Sequence, residues 1–178
     1  MFRRLTILVC LTFLALPAKS DALGFSGLGA SVGLDLSQSG NVAFTGTGTS
    51  FNSARVAVGG FLNLGEVITA NLDLVPGFDA VIENDLRIYS INTEVRYRFY
   101  QKNKAIGYVG GGIGIHLFRP DVGTGAADET KGSLNIPIGY QKQMSGGFGW
   151  FTEMKLVIAD SQSDSSFRFS LGLVLGAF

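Results

Sequence analysis

The chain has 178 residues, with 14 Lys and Arg against 14 Asp and Glu, one cysteine and one histidine. That length is one domain's worth, and a neutral chain without a basic stretch argues against nucleic acid, which rewards clustered Lys and Arg. One histidine and one cysteine cannot build a transition-metal site, so no metal and no cofactor are expected.

Taken in chain order, the first segment reads as a secretory signal over residues 1–20. Arg3 and Arg4 give the positive start, Leu5 to Leu16 is an apolar run, Pro17 breaks it, and Ala18-Lys19-Ser20 places small residues for cleavage before Asp21. The run is too short for a bilayer-crossing helix, which needs ~20 residues. Cys10 lies inside it, preceded by Val9 and followed by Leu11 to Leu16, which is the wrong context for lipidation. The mature chain, 21–178, then has no thiol and no disulfide, and packing and hydrogen bonds alone must hold it.

From there the chain alternates apolar and polar residues with period two, the pattern of half-buried strands. In 86–100, Tyr89, Ile91, Thr93, Val95, Tyr97 and Phe99 oppose Ile88, Ser90, Asn92, Glu94, Arg96 and Arg98. Segments 68–74 and 133–141 alternate likewise. The pattern predicts eight strands near 24–37, 53–63, 67–75, 86–100, 105–118, 132–142, 148–158 and 167–178. Turns near 64–66, 101–104 and 143–147 are short. Segments 38–52, 76–85, 119–131 and 159–166 are longer and polar. Short turns at one end and longer loops at the other is the layout of an eight-stranded antiparallel up-and-down transmembrane β-barrel.

Period two does not say which face points outward. A soluble, lipocalin-like barrel would keep the apolar face inside, around a ligand. Against that, the polar face carries Gly27, Gly29, Gly33, Gly59, Gly110, Gly112, Gly114 and Gly172, small residues suited to the inside of a narrow barrel. Tyr89 and Phe99 share the apolar face ten residues apart, about 33 Å along a strand. A tilt of ~40° reduces that to roughly 25 Å, the height of the band between aromatic girdles. Tyr97, Tyr140 and Trp150 are expected at one membrane interface and Phe167 and Phe169 at the other. Asp35, Arg55, Asp73, Glu94, Arg96, Arg98, Glu153, Lys155 and Arg168 then point inward and are expected to form a paired network.

These features resemble the small outer-membrane barrels, the group that includes the OmpA membrane domain and OmpX. The resemblance covers the mature chain and rests on strand number, loop asymmetry and the closing segment Phe167-Arg-Phe-Ser-Leu-Gly-Leu-Val-Leu-Gly-Ala-Phe178. It implies a bacterial outer-membrane location, lipid and lipopolysaccharide as surroundings, a monomeric barrel, and Phe178 as an insertion signal read by the barrel-assembly machinery. Phe178 departs from the pattern, because it shares parity with Val174 and Gly176 rather than with Leu171, Leu173 and Leu175.

The function expected is a non-enzymatic envelope or surface-interaction role, with a narrow conduit for small ions or solutes as the alternative. A lipid-modifying enzyme would need His116 beside a serine, and its own strand offers none. Ser133 on the neighbouring strand is the one candidate. The Gly110–Gly114 run is no phosphate loop, since no helix follows it.

Overall fold

The computed structural model describes residues 24–37, 53–83, 86–120, 129–144, 146–159 and 165–176. The predicted signal segment, Phe178 and the segment 38–52 lie outside them. Eight strands form the described chain: β1 (Gly27–Ser37), β2 (Ser53–Asn63), β3 (Leu72–Glu83), β4 (Leu86–Lys102), β5 (Ala105–Pro120), β6 (Glu129–Gln143), β7 (Phe148–Ala159) and β8 (Ser166–Gly176). Each pairs antiparallel with its chain neighbours. The pairing of β1 with β8, from Gly27↔Gly176 to Ser37↔Ser166, closes the barrel. Closure leaves no unpaired edge. The end carrying Gly27 and Gly176 is called lower here, and the opposite end upper.

Seven strands lie within a few residues of their predicted positions, and β3 does not. Its alternation was expected to span 67–75, followed by a loop over 76–85. Residues 64–71 instead form the connection, with Ile68 and Asn71 at φ of 65° and 69°, and the strand runs on to Glu83. The expected contrast between lower turns and upper loops is weaker for this hairpin. Only residues 84–85 separate β3 from β4, and the lower connection before β3 is the longer one.

Proline sits in two strands at places where the ladder lapses. Pro76 pairs with Thr93 on one side, but the β2–β3 ladder reaches only from Ile82 down to Gly77. Pro137 faces a gap in the β5–β6 register, between Val109↔Ile138 and Gly112↔Asn135. A residue without an N–H costs nothing where no bond would be made. A bulge in β4 shifts the register between Arg98↔Tyr108 and Tyr100↔Gly107. It presents both Phe99 and Tyr100 outward, each about half exposed.

The apolar face is the outer one. Leu34, Val56, Phe78, Ile91, Ile113, Leu134, Met154 and Leu171, one from each strand, are exposed on the barrel exterior, while Asp35, Glu94, Arg96, Asn135, Glu153, Lys155 and Arg168 are buried. This inverts a soluble protein, and it excludes the lipocalin-like arrangement. Glycines on the inner face make room for large side chains. A Cβ on Gly29 would run into the Phe61 ring, and one on Gly172 into the Phe151 ring. Phe61 and Phe151 then meet edge to face across the interior, at 5.3 Å and 71°.

Candidate functional site

The interior is filled by stacked polar layers. Every inward charge predicted from sequence lies in one of them. At the upper end Asp35 takes Arg55 at 2.7 Å and Arg168 at 3.1 Å, and accepts a hydrogen bond from Ser166 at 2.8 Å. Arg168 reaches down to Asp79 at 2.9 Å, and Asp79 also accepts from Asn92 at 2.6 Å. Below this, Glu94 and Glu153 alternate with Arg96 and Lys155. Glu94 lies 2.7 Å from both cations, and Glu153 lies 2.9 Å from Arg96 and 3.4 Å from Lys155. The Arg96 guanidinium lies 4.9 Å from the centroid of each of the Phe61 and Tyr108 rings, and the Tyr108 hydroxyl donates to Glu153 at 2.7 Å. At the lower end Arg98 bonds Glu66 and lies 3.3 Å from Asp73.

Sequence reasoning placed nine of these residues inside but missed Asp79 and Glu66. Asp79 was assigned to an upper loop because β3 was read as ending at 75. It stands on β3 and joins the interior network through Arg168 and Asn92. The signal was present: Leu72, Leu74, Pro76, Phe78, Ala80 and Ile82 continue one face without a break. Glu66 belongs to the connection before β3. It accepts the Asn71 backbone amide at 3.1 Å. That bond, the largest influence, holds its carboxyl below the usual range against the cost of desolvation, and the Arg98 guanidinium adds to it.

Two gates of different chemistry close the interior. Near the upper end Ala57, Val81 and Ile88 form a dry cluster with Phe118 packed on it. Lower down, the Phe61, Arg96, Tyr108 and Phe151 layer separates a mid-barrel space of about 20 Å³ from an open vestibule of about 240 Å³. Asn63, Glu66, Asp73, Arg98, Tyr108 and Gln141 line that vestibule.

His116 is 5% exposed, with Nδ1 2.6 Å from the Ser90 hydroxyl and Nε2 2.6 Å from the Ser133 hydroxyl. Ser133 also reaches Asn135 at 3.2 Å, and Asn135 donates to Asn92 at 2.8 Å. The expected Ser133 neighbour is thus present, and Ser90 is a second. Both ring nitrogens meet serine hydroxyls, and His116 ties β4, β5 and β6 together as a polar crossbrace.

Outside, Tyr140 and Trp150 pack at 5.7 Å near the lower end, and Tyr97 and Phe99 are exposed on the same side of the wall. Phe78 stacks on Tyr89 at 6.3 Å in the upper half, where Phe169 is also exposed and Phe167 half-buried.

No family model matches the sequence, and no curated protein matches it. Solved structures do match. Neisserial surface protein A (NspA) superposes with a TM-score of 0.67 at 12% identity, over 84% of this chain and 96% of that one. The N-terminal β-barrel domain of Pseudomonas aeruginosa OprF gives 0.61 at 10% identity, over 85% and 98%. The chain has the fold of the small outer-membrane barrels. At such identities the likeness carries the fold, and what the barrel does must be argued from its own residues.

Proposed function

We propose that the chain is exported to the bacterial outer membrane, inserts there as a monomeric barrel, and serves the envelope or presents its upper segments for surface interaction, without enzymatic activity. The observation that carries this reading is the inversion of faces: a continuous apolar exterior on all eight strands around a charge-paired interior. Only a lipid surround makes that exterior favourable, and a closed barrel is the one sheet that satisfies every backbone group in lipid. The upper end then faces outward and the lower end the periplasm.

The conduit reading is weaker. An ion path would have to cross the Ala57–Val81–Ile88–Phe118 cluster and the Arg96 layer, and an eight-stranded interior is just wide enough for its side chains. The test is expression with residues 1–20 retained, followed by gel electrophoresis of outer-membrane fractions with and without boiling. A faster unboiled band that shifts on boiling is expected, and a soluble chain without a shift overturns the membrane reading. Purified barrel in a planar bilayer is expected to be electrically silent. Steady unitary conductance would favour the conduit instead.

A further inference from the structure

Three lysines stand at the lower end of the barrel: Lys102 closing β4, Lys104 in the turn that follows, and Lys142 near the end of β6. All three are exposed, and among the described residues none is paired with a carboxylate. The acids of that end, Glu66 and Asp73, line the vestibule, where Arg98 engages both. Register brings two of the lysines together. Lys102 pairs with Ala105, Ala105 with Lys142, and Lys142 with Trp150, one row across four strands. That row is on the outer face, because Ile106 and Gln141, which pair on the alternate parity, line the vestibule. The next outward row up holds Tyr100, Gly107 and Tyr140, and a Cβ on Gly107 would come within 3.0 Å of the exposed Phe99 ring. Neighbouring strands lie 4.7–4.9 Å apart, so the backbones of Lys102 and Lys142 are about 10 Å apart. The small, buried Ala105 is the one residue of the row between them.

We propose that Lys102 and Lys142 bind the phosphodiester of an anionic glycerophospholipid at the lower membrane interface, with its acyl chains laid on the wall above. The ammonium group is a compact point charge on a flexible four-carbon stem, so two lysines flanking an alanine can converge on one phosphate. Their row lies just below Phe99, Tyr100 and Tyr140 and includes Trp150, aromatics of the kind that mark the headgroup level. Tyr97, Val109 and Ile138 continue the same outer face upward and are exposed there, a bed for the acyl chains. A zwitterionic headgroup carries its own ammonium and leaves both lysines without a matching charge. A soluble anionic partner arriving from below would meet Lys104 on the turn first, so the place of the other two on the wall favours a lipid. The proposal rests on the barrel being in a membrane, and the experiment separates the two.

Trp150, opposite Lys142 in the register, reports on the site directly. Wild-type barrel, K102Q/K142Q, K102R/K142R and K104Q are placed in phosphatidylcholine vesicles. Each is titrated with brominated phosphatidylglycerol and, in parallel, with phosphatidylcholine brominated on the same acyl chains. The boiled and unboiled gel is run on all four proteins. A basic residue beside an anionic membrane surface is worth about fivefold in affinity. Wild type and K102R/K142R are therefore expected to be quenched by phosphatidylglycerol at a mole fraction about tenfold or more below that needed for phosphatidylcholine. K102Q/K142Q is expected to retain a preference of no more than about twofold, and K104Q to lose no more than about twofold. Inorganic phosphate at matched ionic strength is expected to leave the wild-type preference unchanged, and its loss would mean that the lysines hold free phosphate rather than lipid. Equal quenching of wild type by the two lipids, or a loss in K104Q as large as in K102Q/K142Q, overturns the site while the heat shift leaves the barrel reading standing. If K102Q/K142Q shows no heat shift, K102Q and K142Q singly decide the matter, each expected to lose about half of the preference on a logarithmic scale. Absence of quenching of the wild type by either lipid would instead remove the membrane reading itself.

Discussion

Replacing Glu94 by Gln is the most informative change to the interior. Glu94 is 1% exposed and lies 2.7 Å from both Arg96 and Lys155. Gln keeps the shape but removes the charge, leaving two buried cations to share Glu153, at 2.9 and 3.4 Å, with Lys155 a further 3.8 Å from Asp79. Removing one partner of a buried pair costs about 3–5 kcal/mol because the other charge stays uncompensated. The retained amide oxygen can still accept one bond, so about 3 kcal/mol is expected, a shift of over a hundredfold in the folding equilibrium. Adding Lys155→Met restores charge balance around the Arg96–Glu153 pair. The double variant should recover stability, with a coupling of about 2 kcal/mol. Urea titration of the barrel in lipid vesicles, followed by Trp150 fluorescence, gives these differences from the midpoints. If Glu94→Gln lies within about 0.5 kcal/mol of wild type, or the double variant is simply the sum of its parts, the interior is hydrated and the layered network is not what holds it.

Two adjacent glycines offer a second comparison. Gly111 faces open space, whereas a Cβ on Gly112 would come within 2.7 Å of the Glu94 Cα. Gly111→Ala should be neutral or stabilising by about 0.5 kcal/mol, and Gly112→Ala destabilising by about 1–3 kcal/mol; the reverse order in the same urea titration would mean the faces are inverted. Because the Glu66 carboxyl is held below its ordinary value of 4.5, its contribution is complete above that pH and is lost as pH falls through the depressed value. The protection of the Asn71 amide relative to its intrinsic exchange rate should therefore fall as acidification carries pH through that depressed value, and the effect should vanish in Glu66→Gln. Pore opening is not expected in Glu94→Gln, since the Ala57–Val81–Ile88–Phe118 cluster is untouched; stepwise conductance in that variant would show the apolar cluster is no barrier.

The barrel was legible because period two survives wherever one face meets lipid and the other meets charge, and seven of the strands announce themselves that way. β3 was misplaced for a specific reason. Ile68 and Ala70 carry the alternation of Leu72 and Leu74 back into the turn, and Pro76-Gly77 looks like the start of a loop. Only the register shows that Pro76 sits past the end of the β2–β3 ladder, where its missing N–H is harmless. That error moved Asp79 from the interior to a loop. The inward apolar residues Ala57, Phe61, Val81, Phe118 and Phe151 were hidden by the same rule that found the strands, because an apolar side chain on the polar face breaks the alternation rather than marking it. Nor does a linear sequence reveal that Ser90 would reach His116 from the side opposite Ser133, since that depends on the register of β4 and β5. Gly176 adds one observation on the last strand. Its φ of 142° departs from an extended strand two residues before Phe178.

The claim on which the rest depends is that the outer face lies in lipid, and Trp150 can report on it alone, being the single tryptophan. It stands on the outward parity of β7 against Tyr140, at 5.7 Å. The measurement is quenching of its fluorescence in the folded barrel by lipids brominated at a shallow or a deep acyl position, beside quenching by aqueous iodide. The account predicts strong quenching by the shallow bromine, weaker by the deep one, and little by iodide, as for an indole at a membrane interface. Quenching by iodide with no response to either brominated lipid would contradict it.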